Sequence, residues 1–291
     1  MSKGTFFSSF TLHCGKNIVS FEHPCILGIL NVTPDSFYDG GRHVTPEQIV
    51  THGRQLLADG ADIIDVGVVS SRPGAVLLDP AEEARRLSEV VRLLRAELPE
   101  DTIISVDTCY SLPAEAAVRA GAAIINDISG GQFDPRMFDA VADLHVPYVL
   151  SHTRGLPSEM MQYAHYEDIL LELQHYFSEL LDKVYRLGMT DVILDPGFGF
   201  AKTAEQNFDL LSRLEGLTEV FREPILVGVS RKRMIYETLK SSPQESLNGT
   251  TVINTIALEK GVQMLRVHDP REAREAAVIC ERMHECTKKR D

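Results

Sequence analysis

The sequence predicts an α/β fold, a single (β/α)8 TIM barrel, preceded by a β-hairpin over residues 1–22. Three observations carry this. Short apolar runs alternate with amphipathic, capped segments to give about eight strand–helix units in 291 residues. Nearly every apolar run stops on a hydrogen-bonding side chain. No GxGxxG follows the first central run, which counts against an open doubly wound sheet, the other arrangement with this alternation.

In chain order, Phe6 to Phe21 reads as two short strands around Cys14-Gly15-Lys16-Asn17. Ile26 to Leu30 is an apolar run of the kind found in strands buried on both faces. It stops at Asn31, and Thr33-Pro34-Asp35 and Asp39-Gly40-Gly41 make a loop beyond it. Thr45-Pro46-Glu47 opens a helix with an N-cap and a proline at its first position, and Gly60 ends it. The theme then repeats. Strand Ala61 to Gly67 precedes helix Pro80 to Leu98, and strand Thr102 to Asp107 precedes helix Leu112 to Ala120. Strand Ala123 to Asp127, helix Asp134 to Leu144 and strand Pro147 to His152 follow. The long helix His165 to Leu187 leads to strand Asp191 to Asp195 and helix Ala204 to Leu214. Strand Pro224 to Ser230, helices Arg231 to Lys240 and Ser246 to Glu259, strand Val262 to Val267 and a helix from Pro270 complete one domain over 1–291.

Composition narrows the function. A hydrophobic content of 44% with 24% charge is that of a globular chain, which excludes disorder. No apolar run reaches membrane-spanning length, and MSKGTFFSSF lacks the apolar core of a signal peptide. Five cysteines, an odd number without CxxC spacing, point to a reducing compartment and no structural zinc. A net charge of −13 disfavours nucleic acid and anionic membrane as partners, leaving small molecules.

In a barrel the carboxyl ends of all strands face one mouth, so residues far apart in sequence meet there. The strands end in turn on Asn31, Asp65, Asp107, Asn126 with Asp127, His152, Asp195, Ser230-Arg231-Lys232 and Arg266-Val267-His268. Ser70-Ser71-Arg72-Pro73-Gly74 lies in the loop after the second. Taken singly, Asp107 or Asp195 could cap the next helix, and His268 could be a satisfied structural histidine. As a set they divide into two chemistries. Asp107, Asn126 and Asp195 are acceptors for a flat heterocycle rich in N–H groups. Arg72, Arg266 and His268 suit a phosphate or diphosphate, against which Asn31 could hold Mg²⁺ as a neutral oxygen ligand.

NVTPDSF with DGG, SxRPG, SVDT, INDISG, LDPGFGF with Lys202, GVSRK and RVHD follow one another here. In that order they resemble dihydropteroate synthase, a folate-pathway family, from Ile26 to about Ala276. The resemblance implies a transferase joining 6-hydroxymethyl-7,8-dihydropterin diphosphate to p-aminobenzoate with release of diphosphate. It also implies Mg²⁺ as cofactor, a cytoplasmic homodimer and membership of a family that sulfonamides target. Carried over by motif, Asp107, Asn126, Asp195 and Lys232 hold the pterin, and Asn31, Arg72, Arg266 and His268 hold diphosphate and metal. Ser71, Pro73, Phe200 and the start of the helix after Ser230, Arg233 included, line the p-aminobenzoate site. Asp35 and Phe37 belong to the first loop, and Arg266, His268, Lys232 and Arg72 form the catalytic set.

Four departures from the family pattern stand out. Val68-Val69 replaces Gly-Glu, Ser71 replaces Thr, Ser151 and Thr153 flank His152 where methionines are common, and Arg233 replaces Ser. Two rival readings remain on the residues. A pterin-binding methyltransferase domain needs no diphosphate grip, and a non-catalytic pterin-binding paralogue needs no loop lids. A Schiff-base role for Lys232 is the remaining enzymatic alternative.

Overall fold

The structure, a computed structural model, describes residues 7–15, 17–32, 45–69 and 78–288. Asp35, Phe37, Ser71, Arg72 and Pro73 lie outside the described residues. Strands β1 (Phe10–Cys14) and β2 (Asn17–Phe21) form an antiparallel hairpin, with Cys14 opposite Asn17. Its Leu12, Cys14 and Phe21 pack onto Cys25, Leu27, Ile63, Ile124, Val149, Ile193, Leu226 and Met264. Those residues come from the amino-terminal ends of the central strands, so the hairpin closes the floor of the barrel.

The barrel is built from β3 (Cys25–Asn31), β4 (Ile63–Gly67), β5 (Ile103–Asp107), β6 (Ile124–Asp127), β7 (Tyr148–Ser151), β8 (Val192–Asp195), β9 (Leu226–Val227) and β10 (Met264–Val267). All neighbours pair in parallel, in the order β8-β7-β6-β5-β4-β3-β10-β9. A bridge from Leu194 to Ile225 joins the two ends, and Leu194 N–H donates to the Pro224 carbonyl at 2.9 Å. The ring therefore closes, and the doubly wound alternative falls.

The helices start where capping chemistry allows. Helix α1 (Pro46–Ala58) opens with a capping box in which Thr45 and Gln48 satisfy each other's backbone N–H groups. Asp79 caps α2 (Pro80–Glu97), and Gly121, at φ 114°, ends α3 (Ser111–Ala120) in the left-handed region that a side chain disfavours. Helices α4 (Met137–Leu144), α5 (Ile169–Arg186), α6 (Ala204–Ser212), α7 (Glu215–Thr218), α8 (Arg233–Thr238), α9 (Leu247–Glu259) and α10 (Pro270–Lys288) follow.

Among the boundaries that differ from the sequence expectation, three bear on the mouth of the barrel or its helices. Helix α5 begins four residues after His165, at Ile169, because Asp168 takes the free N–H groups of Leu170 and Leu171. Strand β9 is a two-residue ladder instead of the expected Pro224 to Ser230 run. Helix α8 begins at Arg233, not Arg231, because Arg231 sits at φ 56° and gives its N–H to Thr250 Oγ1.

Candidate active site

Sheet register assembles the mouth. Asn31 lies opposite Gly67, Gly67 opposite Asp107, and Asp107 opposite Asn126, so three polar side chains and one glycine form a row across β3 to β6. The glycine leaves room between its neighbours. A Cβ at Gly67 would stand 3.0 Å from Asn31 Oδ1 and 3.7 Å from Asp107 Cβ. Ser151 pairs with Asp195 on the far side, across β7 and β8. Asp65, two residues before Gly67 on the same face of β4, lies one layer below, and Arg266 enters from β10, where it stands opposite Leu27 of β3.

An ion-pair network ties this lower layer to the row above. Arg266 Nε donates to Asp65 Oδ2 at 2.6 Å and Nη2 donates to Asp107 Oδ2 at 2.8 Å. Asn126 Nδ2 donates to the same Asp65 oxygen at 3.0 Å. Asp65 Oδ1 and Asn126 Oδ1 remain buried acceptors without a hydrogen-bond partner. Such orphaned acceptors are costly unless a ligand supplies the donors. Burial pushes the Asp107 carboxyl up to about 7, against the opposing Arg266 guanidinium. Burial raises Asp195 too, with Lys232 opposing it. Lys232 is pulled down to about 8 by burial, and the Asp195 carboxylate limits the fall.

Lys232 donates to the Phe198 carbonyl, and its Nζ lies 4.4 Å from the centre of the Phe200 ring. Asp195 Oδ1 accepts the Gly197 N–H at 2.8 Å, and Ser151 Oγ approaches its other oxygen at 3.4 Å. At the β10 end, Ser230 Oγ accepts the His268 N–H at 3.2 Å and lies 3.0 Å from ring Nδ1. Arg231 beside it pairs with Asp269. The ends of β9 and β10 are therefore locked together at two consecutive positions.

The fold thus brings Asn31, Asp107, Asn126, Asp195, Lys232, Phe200, Arg266 and His268 to one end of the barrel. Arg266 stands differently from the free anion grip expected of it, since two carboxylates already bond its guanidinium. Arg233 does not join the group. Its Nε donates to Glu237 at 2.6 Å on α8, with the side chain 67% exposed. Asp65 enters through a pairing that spans 201 residues, which no local spacing reveals. Glu83 is the residue that the sequence reading left out: it lies buried on α2 and accepts the Thr108 hydroxyl, next to Asp107.

Asn31 presents a neutral hard oxygen beside Gly67, the donor type that Mg²⁺ takes, while the Asp107 carboxylate there is bonded to Arg266. Among the described residues no group of three or more His, Cys, Asp or Glu forms a protein-only metal cage. The remaining ligands of such an ion would be substrate oxygens and water, as Mg²⁺ prefers.

The pterin binding enzyme family model matches residues 27–268. The chain is 38% identical to dihydropteroate synthase of Escherichia coli K12, over 90% of this chain and 93% of that one. It belongs to the dihydropteroate synthase family. Bacillus subtilis dihydropteroate synthase is 36% identical, with 97% of each chain covered. Among solved structures, Yersinia pestis dihydropteroate synthase in a sulfonamide drug complex superposes with a TM-score of 0.88 at 35% identity. That match covers 95% of this chain and all of the other. The Xanthomonas albilineans enzyme, solved with 4-aminobenzoic acid, gives 0.87 at 38% identity, covering 95% of this chain and 98% of that one. The same enzyme has also been solved in complex with 7,8-dihydropteroate, at 0.82 and 36% identity over 94% and 98%. This family makes the chain an enzyme of the transferase class.

Proposed function

We infer that this chain condenses 6-hydroxymethyl-7,8-dihydropterin diphosphate with p-aminobenzoate, yielding 7,8-dihydropteroate and diphosphate. One observation carries the reading: buried acceptors on Asp107, Asn126 and Asp195 converge with the Lys232 donor at one mouth. That set complements a heterocycle whose N–H groups need acceptors and whose ring carbonyl needs a donor. The relatives solved with 4-aminobenzoic acid and with 7,8-dihydropteroate support the same pair of substrates.

In this mechanism the C–O bond to the diphosphate breaks, and its electron pair leaves with the diphosphate. The methylene left behind is conjugated with the pterin, which Asp107, Asn126 and Asp195 hold in plane. The aryl amine then forms the C–N bond and loses a proton. His268, held by Ser230, is assigned to the leaving group, as Arg72 is by its motif alone, and electrostatic stabilisation there would be the main catalytic contribution. Bound Mg²⁺, with Asn31 as its protein ligand, would neutralise diphosphate charge. Phe200 lines the aryl side, to which Ser71 and Pro73 are assigned by their motif alone.

The test is diphosphate release from the purified chain, with pterin diphosphate, p-aminobenzoate and Mg²⁺ each omitted in turn. Release should need all three. Equal release without the aryl amine would leave only a hydrolase and overturn the reading.

We also infer a cytoplasmic homodimer. All five cysteines are free, as a reducing compartment requires, and no helix among the described residues is long and apolar enough to cross a membrane. Val252 and Ile256 on α9 and Ile279 and Met283 on α10 form an exposed apolar surface suited to a second copy. Sedimentation at a monomer mass across micromolar concentrations would remove the dimer.

A further inference from the structure

The loop from Asp195 to Lys202 is held from inside by a lysine that the reaction does not use. Lys202 is 3% exposed, and no carboxylate pairs with it among the described ion pairs. Its Nζ donates to the Gly197 carbonyl at 3.0 Å and the Phe200 carbonyl at 3.1 Å, and lies 2.9 Å from His152 Nδ1. Three partners match the three directions an ammonium can serve. Holding a lysine there is costly, since burial pulls its ammonium well below the usual lysine range.

The loop is built to make this contact. Gly197, at φ 68°, leaves room for no side chain, because a Cβ there would stand 1.9 Å from the His152 carbonyl. Ala201, at φ 47°, holds a left-handed conformation unfavourable for a residue with a Cβ. Tyr166 Oη fixes that residue by donating to its carbonyl at 3.0 Å. Strain of this kind persists only where surrounding contacts over-determine it. The product of the arrangement is the position of Phe200, which is 9% exposed with its ring against Lys232.

We propose that Lys202, braced by His152, is a positioning residue for the aryl amine: it sets the Phe200 ring by gripping the loop on both sides of it. This rests on the reading that Phe200 lines the p-aminobenzoate site. Of the pterin-holding groups, Asp107 and Asn126 sit on other strands, whereas Asp195 and Lys232 touch this loop through the Gly197 N–H and the Phe198 carbonyl, so the pterin feels the grip in part and the Phe200 ring in full.

Lys202→Met keeps the length of the side chain and removes its donors. The KM for p-aminobenzoate should rise about tenfold, the loss of one or two hydrogen bonds expressed in one substrate. The KM for the pterin diphosphate should rise by clearly less, because Asp107 and Asn126 still hold that substrate from other strands. His152→Leu should shift the p-aminobenzoate KM in the same direction, and His152→Asn, which returns an amide oxygen near Nδ1, should restore most of it. A folded Lys202→Met chain with both KM values unchanged, or both raised equally, overturns the proposal. If Lys202→Met does not fold, the two His152 variants decide, and equal KM values in Leu and Asn overturn it. A wild-type chain that turns over neither substrate overturns the functional reading and this proposal together, whereas wild-type turnover with flat variants overturns this proposal alone.

Discussion

At the scale of single residues, Asp107, Asn126 and Asp195 were legible in the sequence because each ends an apolar run. A buried strand that stops on a carboxylate or amide has to place it at a mouth. The partner of each was not legible, because pairings such as Arg266 with Asp65 and Asp107 join residues from opposite ends of the chain. Arg233 shows the same limit from the other side. Its motif suggests a contact with the p-aminobenzoate carboxylate, while its local geometry offers Glu237 four residues on, at 2.6 Å. An exposed i,i+4 pair contributes only about 0.3–0.5 kcal/mol, and a cation in the first helical turn opposes the helix dipole. Arg233→Ser should therefore leave both the stability and the KM for p-aminobenzoate nearly unchanged, at low and high salt alike. A severalfold rise in that KM at low salt would return Arg233 to the site.

At the scale of elements, capped helices were legible and the shortest strand was not. Thr45 with Gln48 and Asp79 with Pro80 are local chemistry, readable without a fold. Strand β9 owes its two-residue ladder to β10 and a bridge to β8, both remote in sequence. Helix α2 carries one residue that violates its own pattern. Glu83 is 2% exposed on the face that also buries Ala84 and Leu87, and burial pushes its carboxyl up to about 7. Thr108 donates to it, and the nearby carboxylates of Asp107 and Asp127 add to the upward push. The folded chain keeps this proton up to about pH 7, while the unfolded chain loses it near 4.5. The neutral carboxyl's contribution is thus fully present below 4.5 and is lost as pH rises through 7. Ionisation above pH 7 costs on the order of 3 kcal/mol. Glu83→Gln keeps an acceptor for Thr108 and removes the charge. Its Tm should exceed that of the wild type at pH 8 and match it at pH 4.5. A variant less stable at both values would show that the carboxylate itself is needed.

At the scale of the molecule, ring closure is what converts separate strand ends into a site, and Arg266 spans it. Its strand, β10, adjoins β3, yet its guanidinium reaches past β3 to Asp65 on β4 and Asp107 on β5. The side chain is 17% exposed and its partners 0% and 10%, so water screens the pairs little. Buried pairs of this kind add little net stability, but removing one partner leaves uncompensated charge. Arg266→Met should cost about 3–5 kcal/mol at neutral pH by urea unfolding. The sign of the pH dependence follows from Asp107, already raised to about 7 with the guanidinium present. Without that cation its folded pKa rises further, so the variant's deficit should shrink as pH falls and the carboxyl regains its proton. Adding Asp65→Asn to Arg266→Met should recover part of the loss, because one of the two stranded carboxylates is then gone. A deficit that is the same at pH 5 and pH 8, with no recovery in the double variant, would mean that Arg266 contributes packing through its aliphatic stem and that its charge does not hold the mouth together.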